Sequence, residues 1–157
     1  MSSSFKGRCN CGKFAFTAPQ HKGVAACFCK CCVRGGGSLC SLNAVIPAGK
    51  DGLTFTGDAK EGDLNVYLDK ETSSGKPMQR KFCGSCGSPL LSVPEDSEIA
   101  YFKYSLLEDS DAYLASKGPD MVIFTKRAPE WAKPGDAQDA TKNGLQWPKK
   151  DETQFSA

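Results

Sequence analysis

Histidine is almost absent from this 157-residue chain, which contains a single example, His21. Any metal site in the chain must therefore consist almost entirely of thiolates, and thiolate ligands favour zinc over most common ions. A marked excess of positive charge is also missing, because 20 lysines and arginines are balanced by 18 acidic residues. We therefore expect no nucleic-acid partner, since dedicated nucleic-acid binders carry strongly basic surfaces.

Long apolar segments are missing as well. No run approaches the roughly 20 residues that span a bilayer, and residues 1–6 lack the apolar core of a secretion signal. We therefore expect a soluble, cytoplasmic protein that makes no membrane contact. The length suits one domain, which we place at residues 1–135. Residues 136–157 are polar and weakly patterned and should form a loop or tail. The sequence leaves open whether the chain works as a monomer or as a homodimer.

Long helical periodicity is the third absence, and short strand-like segments take its place. Gly, Pro, Asp and Ser separate these segments at spacings typical of antiparallel β proteins. The segments are Phe14–Phe16, Val24–Ala26, Leu42–Ile46, Leu53–Phe55, Val66–Leu68, Leu90–Leu91, Ile99–Tyr104 and Met121–Phe124. The best helical candidate is short, at Glu108–Leu114. We predict a mostly β, single zinc-bearing domain of short antiparallel sheets with little helix.

Cysteine is the residue that the chain has in abundance. Nine cysteines cannot all pair internally, so a secreted disulfide scaffold is a poor interpretation. A Cys-x-x-Cys-Gly turn at Cys83 and Cys86 has the form of a zinc knuckle and supplies two of the four ligands that a structural site needs. Cys9 and Cys11, followed by a glycine that eases the bend, are the natural donors of the other two. We predict a structural zinc that joins these two distant segments.

A second group of thiols lies between these segments. Cys27, Cys29 and Cys32 offer three thiolates within six residues, and no histidine lies close by in sequence. Zinc held by three protein ligands keeps an open position, as catalytic zinc sites do, and a thiol is a reasonable fourth ligand. A closed four-cysteine site, a two-metal cluster and redox-active thiols remain alternatives. We treat Cys31 as a non-ligand and Cys40 as a buried apolar residue in a strand-like stretch.

The three cysteine motifs together resemble the glutathione-dependent formaldehyde-activating family, also called the centromere protein V-like family. The segment from Gly7 to Phe16 is similar to its opening Gly-x-Cys-x-Cys-Gly-x-x-x-Phe. Cys27 to Cys32 is similar to its central Cys-His-Cys-x-x-Cys, and Gly37-Ser38 falls where the family has the same pair. Phe82 to Leu90 resembles its late Phe-Cys-x-x-Cys-Gly motif, and Arg127 to Trp131 resembles its Arg-Ala-Pro-x-Trp. The resemblance runs from about residue 7 to residue 131.

The resemblance implies a β-rich fold shared with small zinc-bearing Rab-exchange chaperones, and it implies two zinc ions. One would be a structural zinc, held by Cys9, Cys11, Cys83 and Cys86. The other would be a catalytic zinc that meets a glutathione-type thiol, held by Cys27, Cys29 and Cys32. The implied activity is that of a carbon–sulfur lyase: glutathione adds to formaldehyde to give S-hydroxymethylglutathione. The alternative is a non-catalytic, zinc-stabilised module that binds a protein.

The sequence departs from the family pattern beside the central motif. Phe28 replaces a frequent histidine, and Val33 replaces an arginine whose anion contact Arg34, one residue further on, could supply. Lys30, Lys126 and Arg127 are weaker candidates for contacts to the carboxylates of glutathione. With Cys31 and Cys40, Phe28 and Val33 predict an apolar, sulfur-rich pocket. We therefore expect a diverged member that acts on a bulkier glutathione adduct.

Overall fold

The computed structural model describes residues 5–112 and 118–132. Ten strands and one complete α-helix lie within these ranges: β1 (Phe5–Arg8), β2 (Ala15–Ala18), β3 (Val24–Cys27), α1 (Lys30–Gly36), β4 (Ser41–Pro47), β5 (Thr54–Phe55), β6 (Asn65–Asp69), β7 (Met78–Phe82), β8 (Pro89–Pro94), β9 (Ile99–Lys103) and β10 (Met121–Ile123). Single turns of 3-10 helix occur at Gly49–Asp51, Glu61–Asp63, Tyr104–Leu106, Thr125–Arg127 and Glu130–Ala132. In these ranges, no helix has the length and apolarity that crossing a membrane requires.

Two sheets organise the described chain. β1, β2 and β5 form a three-stranded antiparallel sheet, and the other seven strands form a sheet in the order β10-β3-β4-β9-β8-β7-β6. Every neighbouring pair is antiparallel except β10 and β3, which run parallel. The prediction of a mostly β fold with antiparallel sheets is confirmed.

The two faces of the seven-stranded sheet differ in chemistry. Ala44, Phe102 and Leu91 lie opposite one another on adjacent strands and belong to the main buried core. Phe16 of the smaller sheet packs edge-on against Phe102, with ring centroids 6.2 Å apart. Because side chains alternate along a strand, the next residues on each strand face the other way, and there they are largely polar. This second face carries the candidate site.

β1 and β7 were not among the predicted strands. β1 contains one apolar residue and a glycine, so its sequence lacks the alternation that indicates a strand. β7 carries two adjacent charged residues that are paired rather than solvated: Arg80 contacts Asp69 at 2.7 Å, and Lys81 contacts Glu61 at 2.6 Å. Charge pairing between neighbouring elements allows such a strand to form, and single-sequence patterning does not detect it.

The helical predictions are partly wrong. The first helix is α1, which begins at Lys30, directly after two of the central cysteines, and was not predicted. Gly37 closes the helix with φ 60°, donating its N–H to the Val33 carbonyl. A helical segment does begin at Ser110, inside the predicted range, but residues 113–117 lie outside the described residues. The predicted tail, 136–157, also lies outside them.

Candidate active site and metal centres

The structure brings the four outer cysteines together. The Sγ atoms of Cys9, Cys11, Cys83 and Cys86 all lie within 4.8 Å of one another. Cys11 Sγ is 3.6 Å from Cys9 Sγ and 3.8 Å from Cys83 Sγ. A tetrahedral zinc with Zn–S bonds of about 2.3 Å requires sulfurs about 3.8 Å apart, so these distances fit the group. The four thiols could hold one metal ion, and their chemistry suits zinc.

Two similar turns create this arrangement. In the first, the N–H of Cys9 donates to the Phe14 carbonyl, the Cys9 carbonyl accepts the Gly12 N–H, and Gly12 adopts φ 78°. In the second, the N–H of Cys83 donates to the Ser88 carbonyl, and Gly87 adopts φ 74°. Both glycines occupy the left-handed region, where a side chain would be strained. The turns are therefore local products of the two Cys-Gly motifs, and the sheets bring them together.

Ser88 connects the two turns directly. Its hydroxyl accepts the Asn10 N–H at 3.1 Å and lies 3.3 Å from Cys86 Sγ. Hydrogen bonds from the Ser88 side chain and backbone lower the pKa of the Cys86 thiol to about 5. The Cys9 sulfur likewise accepts the Phe14 N–H at 3.4 Å. These donors stabilise thiolates, which are the form that binds a metal ion.

The three central cysteines also converge. Cys27 is the last residue of β3, Cys29 is the N-cap of α1, and Cys32 lies in the first turn of that helix. Their sulfurs all lie within 4.8 Å of one another, and the Cys32 N–H donates to Cys29 Sγ at 3.3 Å. The N-cap position therefore turns the Cys29 sulfur towards the helix and its neighbour Cys32. This group could hold a second metal ion through three protein ligands.

The remaining residues of the motif point elsewhere. Cys31 Sγ donates to the Glu71 carbonyl at 3.6 Å and is not part of the three-sulfur group. Phe28 is buried in a second small core with Ala26, Val122 and Ala128. Cys40 is half-buried and packs against that same core, in keeping with the apolar role predicted for it, although β4 begins one residue later.

The three central thiols differ in acidity. Hydrogen bonds from Cys27 and Cys29 lower the pKa of the Cys32 thiol to about 3, and the charges of Lys103 and Arg80 act in the same direction. The pKa of Cys27 is raised, because its thiol is the donor to the other two sulfurs and is largely buried. These contacts favour the thiolate form of Cys32, which is the form that binds a metal ion.

Polar residues on the seven-stranded sheet support this centre. Lys103, which is only 6% exposed, donates to Ser41 Oγ at 2.6 Å and to Asn43 Oδ1 at 2.9 Å. The Asn43 amide nitrogen in turn approaches Cys32 Sγ at 3.9 Å. Sequence reasoning missed both Lys103 and Asn43. The only available signal was their place in two strand-like stretches, Ile99–Tyr104 and Leu42–Ile46, where a charged or amide residue interrupts apolar ones.

A second polar group lies on the same face of the sheet. Arg80 donates through Nε to Asp69 at 2.7 Å and through Nη1 to Ser92 Oγ at 3.3 Å. Burial opposes the charge of Arg80, but Asp69 more than compensates and raises the pKa of the guanidinium. Asp69 is 6% exposed, so the pair is a fixed, nearly neutral unit.

A cavity of about 570 Å³ opens above the central cysteines. This volume is in the range of small-molecule sites. Its wall includes the three sulfur residues, Asn43 and Arg80, and it also includes the phenol of Tyr101. The β6–β7 loop contributes hydroxyl groups and Lys76, and the β8–β9 turn contributes acidic residues. The wall combines these polar and charged groups with apolar side chains such as Met78 and Phe124, a mixture that suits a peptide-like thiol.

The residues predicted to make the pocket apolar and sulfur-rich do not line it, although other apolar side chains, among them Met78, Ile99 and Phe124, do. Phe28, Val33, Cys31 and Cys40 are all absent from the wall of this cavity. The reason is local geometry: Phe28 alternates with Cys27 and Cys29 and therefore faces the opposite side, and α1 turns Cys31 towards Glu71. The apolar residues next to the cysteines in sequence thus carry no argument for a bulkier substrate.

The predicted anion contacts lie outside the cavity as well. Arg34 is exposed in the last turn of α1 and does not line the cavity. Lys30, Lys126 and Arg127 are likewise exposed and absent from its wall. The cations that do line it are Lys76 and Arg80, which sequence reasoning did not single out.

Comparison with known proteins identifies the family. The sequence profile of the glutathione-dependent formaldehyde-activating enzyme matches residues 4–127. The chain belongs to this family. The match includes all three cysteine motifs, and so both cysteine groups and the cavity wall described above lie inside the matched region.

Other comparisons add less. No curated protein matches the sequence. A crystal structure of a Rhodobacter sphaeroides protein from a structural-genomics programme is similar to the chain with a TM-score of 0.49 and 21% identity, over 66% of this chain and 87% of that one.

Proposed function

We propose that this member of the family is a zinc-dependent carbon–sulfur lyase that makes or breaks an adduct between glutathione and a small aldehyde. The observation that carries the proposal is the placement of three converging thiols, and no fourth, in the wall of a cavity of about 570 Å³. Family membership supports a glutathione-dependent, formaldehyde-activating chemistry. The structural and the catalytic zinc would be held by the outer four and the central three cysteines, respectively.

The chemistry divides between the ion and the protein. Bound zinc would supply a Lewis acid that keeps a fourth, substrate-derived sulfur deprotonated at neutral pH. Addition of the glutathione thiolate to the carbonyl carbon would form a carbon–sulfur bond and move the π electron pair to oxygen, which would take up one proton. Tyr101 lines the cavity, and burial raises the pKa of its phenol, so the group stays protonated and can donate. Cleavage of the adduct reverses these steps.

The geometry favours an enzyme over a binding module. A purely structural central site would need a fourth protein sulfur, and Cys31 is the nearest in sequence. Its thiol instead contacts the Glu71 carbonyl, outside the three-sulfur group. The open side of the trio faces the cavity, where a substrate would enter.

Recognition of glutathione carboxylates provides a first prediction. Lys76 lines the cavity beside the hydroxyl groups of Thr72 and Ser74, whereas the candidate suggested by the sequence, Arg34, is exposed elsewhere. We expect Lys76→Ala to raise KM for glutathione about three- to tenfold, since an exposed charge-assisted hydrogen bond contributes about 1 kcal/mol. Arg34→Ala is the matched control and should change KM less than about twofold. An equal or larger effect of Arg34→Ala would restore that residue as the anion contact.

The function itself is tested by metal content and turnover. The purified chain should contain close to two zinc ions, and glutathione should perturb one of them, visible as a change in the absorption bands of the cobalt-substituted protein. The same preparation should interconvert S-hydroxymethylglutathione with glutathione and formaldehyde. One ion per chain, or two ions that ignore thiols, would instead favour the non-catalytic module.

A further inference from the structure

Lys103 is almost fully buried, and no carboxylate within the described residues pairs with it. Its ammonium group donates to Ser41 Oγ and Asn43 Oδ1, both of which are neutral acceptors. The ion pairs within residues 5–112 and 118–132 are Arg80–Asp69 and Lys81–Glu61, so neither carboxylate is shared with Lys103. A buried cation without a counter-charge is costly. The negative charge that balances Lys103 must therefore come from another source.

Asn43 points to that source. A lysine can only donate hydrogen bonds, so the amide oxygen of Asn43 has to face Lys103 and its nitrogen has to face away. The nitrogen donates to the Ser41 carbonyl at 3.0 Å and lies 3.9 Å from Cys32 Sγ. The amide dipole is therefore oriented with its negative end towards the ammonium and its positive end towards Cys32.

Charge counting shows what Lys103 changes. Three thiolates and a divalent ion carry one net negative charge, and a thiolate as fourth ligand makes this two. The Arg80–Asp69 pair is close to neutral, so Lys103 is the uncompensated cation on the polar face of the sheet beside the centre. The acidic residues of the cavity wall lie in the β8–β9 turn, with Glu98 five positions before Lys103 along the chain. At about 3.3 Å per residue along the strand, these carboxylates are too distant to balance the charge of Lys103.

We propose that Lys103 is a positioning residue that makes the central site select an anionic fourth ligand, a thiolate, over a neutral one. This inference rests on the proposed function, since it assumes that the fourth position is open. The ammonium attracts the charge of the incoming sulfur and leaves a neutral ligand almost unaffected. Lys103 therefore determines ligand specificity without touching the substrate.

The test compares two small ligands on the cobalt-substituted protein by absorption titration. 2-Mercaptoethanol binds as a thiolate and imidazole binds as a neutral ligand, and neither carries a carboxylate that other cavity residues could recognise. Lys103→Gln retains hydrogen-bond donors for Ser41 and Asn43 but removes the charge. We expect Lys103→Gln to weaken 2-mercaptoethanol binding at least about tenfold, because it removes a cation that lies one amide group away from Cys32. Imidazole binding should change less than about twofold.

Controls separate charge from structure. Lys81→Met removes a lysine of β7 that is paired with Glu61, and it should affect neither ligand. Lys103→Arg should retain thiolate selectivity. If Lys103→Gln fails to fold, Lys103→Met serves instead, because it removes the charge, keeps an unbranched side chain and leaves the Ser41 hydroxyl to donate to Asn43 Oδ1. Equal effects on both ligands, or none, would overturn the role of Lys103 alone. Failure of the wild-type protein to bind 2-mercaptoethanol would overturn the proposed function as well.

Discussion

Replacing Cys83 with serine should abolish the folded state rather than the activity alone. Cys83 is fully buried and joins the β7–β8 turn to the β1–β2 turn through the four-sulfur group. Structural zinc contributes about 10–16 kcal/mol in small zinc domains, which equals or exceeds the net stability of a typical domain, about 5–15 kcal/mol. We expect the variant to lose its cooperative thermal unfolding transition by circular dichroism.

Two companion variants separate metal loss from packing loss. Cys11 belongs to the same group, but its side chain is exposed, so Cys11→Ser removes a ligand without leaving a cavity in the core. It should be destabilised almost as strongly as Cys83→Ser. Cys40 lies outside both groups and is half-buried, so Cys40→Ser should cost only about 1 kcal/mol and retain both ions. A Cys11→Ser protein with wild-type stability would show that the four-sulfur group does not hold the fold together.

The cysteine motifs could be predicted from the sequence because each depends on local chain geometry. A Cys-x-x-Cys-Gly turn positions two sulfurs through its own backbone, and Cys29 is brought to Cys32 by the helix that it caps. Eight of the ten strands within the described residues were also anticipated, since short alternating segments between turn residues carry that signal.

The supporting residues could not be predicted, because their roles depend on contacts between distant strands. Lys103 and Asn43 are 60 positions apart and meet only because β4 and β9 pair with these two residues in register. Arg80 reaches Asp69 diagonally across the β6–β7 hairpin, since Asp69 lies opposite Met78 in the register. The lining residues of the pocket were predicted wrongly because Phe28 is adjacent to the candidate ligands in sequence but faces the opposite side of the strand.

Cys29→Ser should remove the proposed activity and leave the fold intact. Serine is an excellent N-cap, so helix α1 keeps the side-chain bond to the Cys32 N–H that Cys29 now provides. What the substitution removes is one of three thiolates, and two remaining sulfurs hold zinc far less tightly than three. We expect loss of one zinc ion per chain by elemental analysis and a fall in turnover of more than about a hundredfold, since even residues that only support a metal ligand cost 10–100-fold.

Cys31→Ser is the matched control for this experiment. Cys31 is two positions from Cys29 and lies in the same helix, yet its sulfur contacts the Glu71 carbonyl and not the trio. The variant should retain two zinc ions and near wild-type turnover. The opposite pattern, in which Cys31→Ser loses an ion, would place a fourth protein sulfur on the metal. The central site would then be closed, no position would remain for a substrate thiol, and the lyase proposal would fail even though the fold and the family were unchanged.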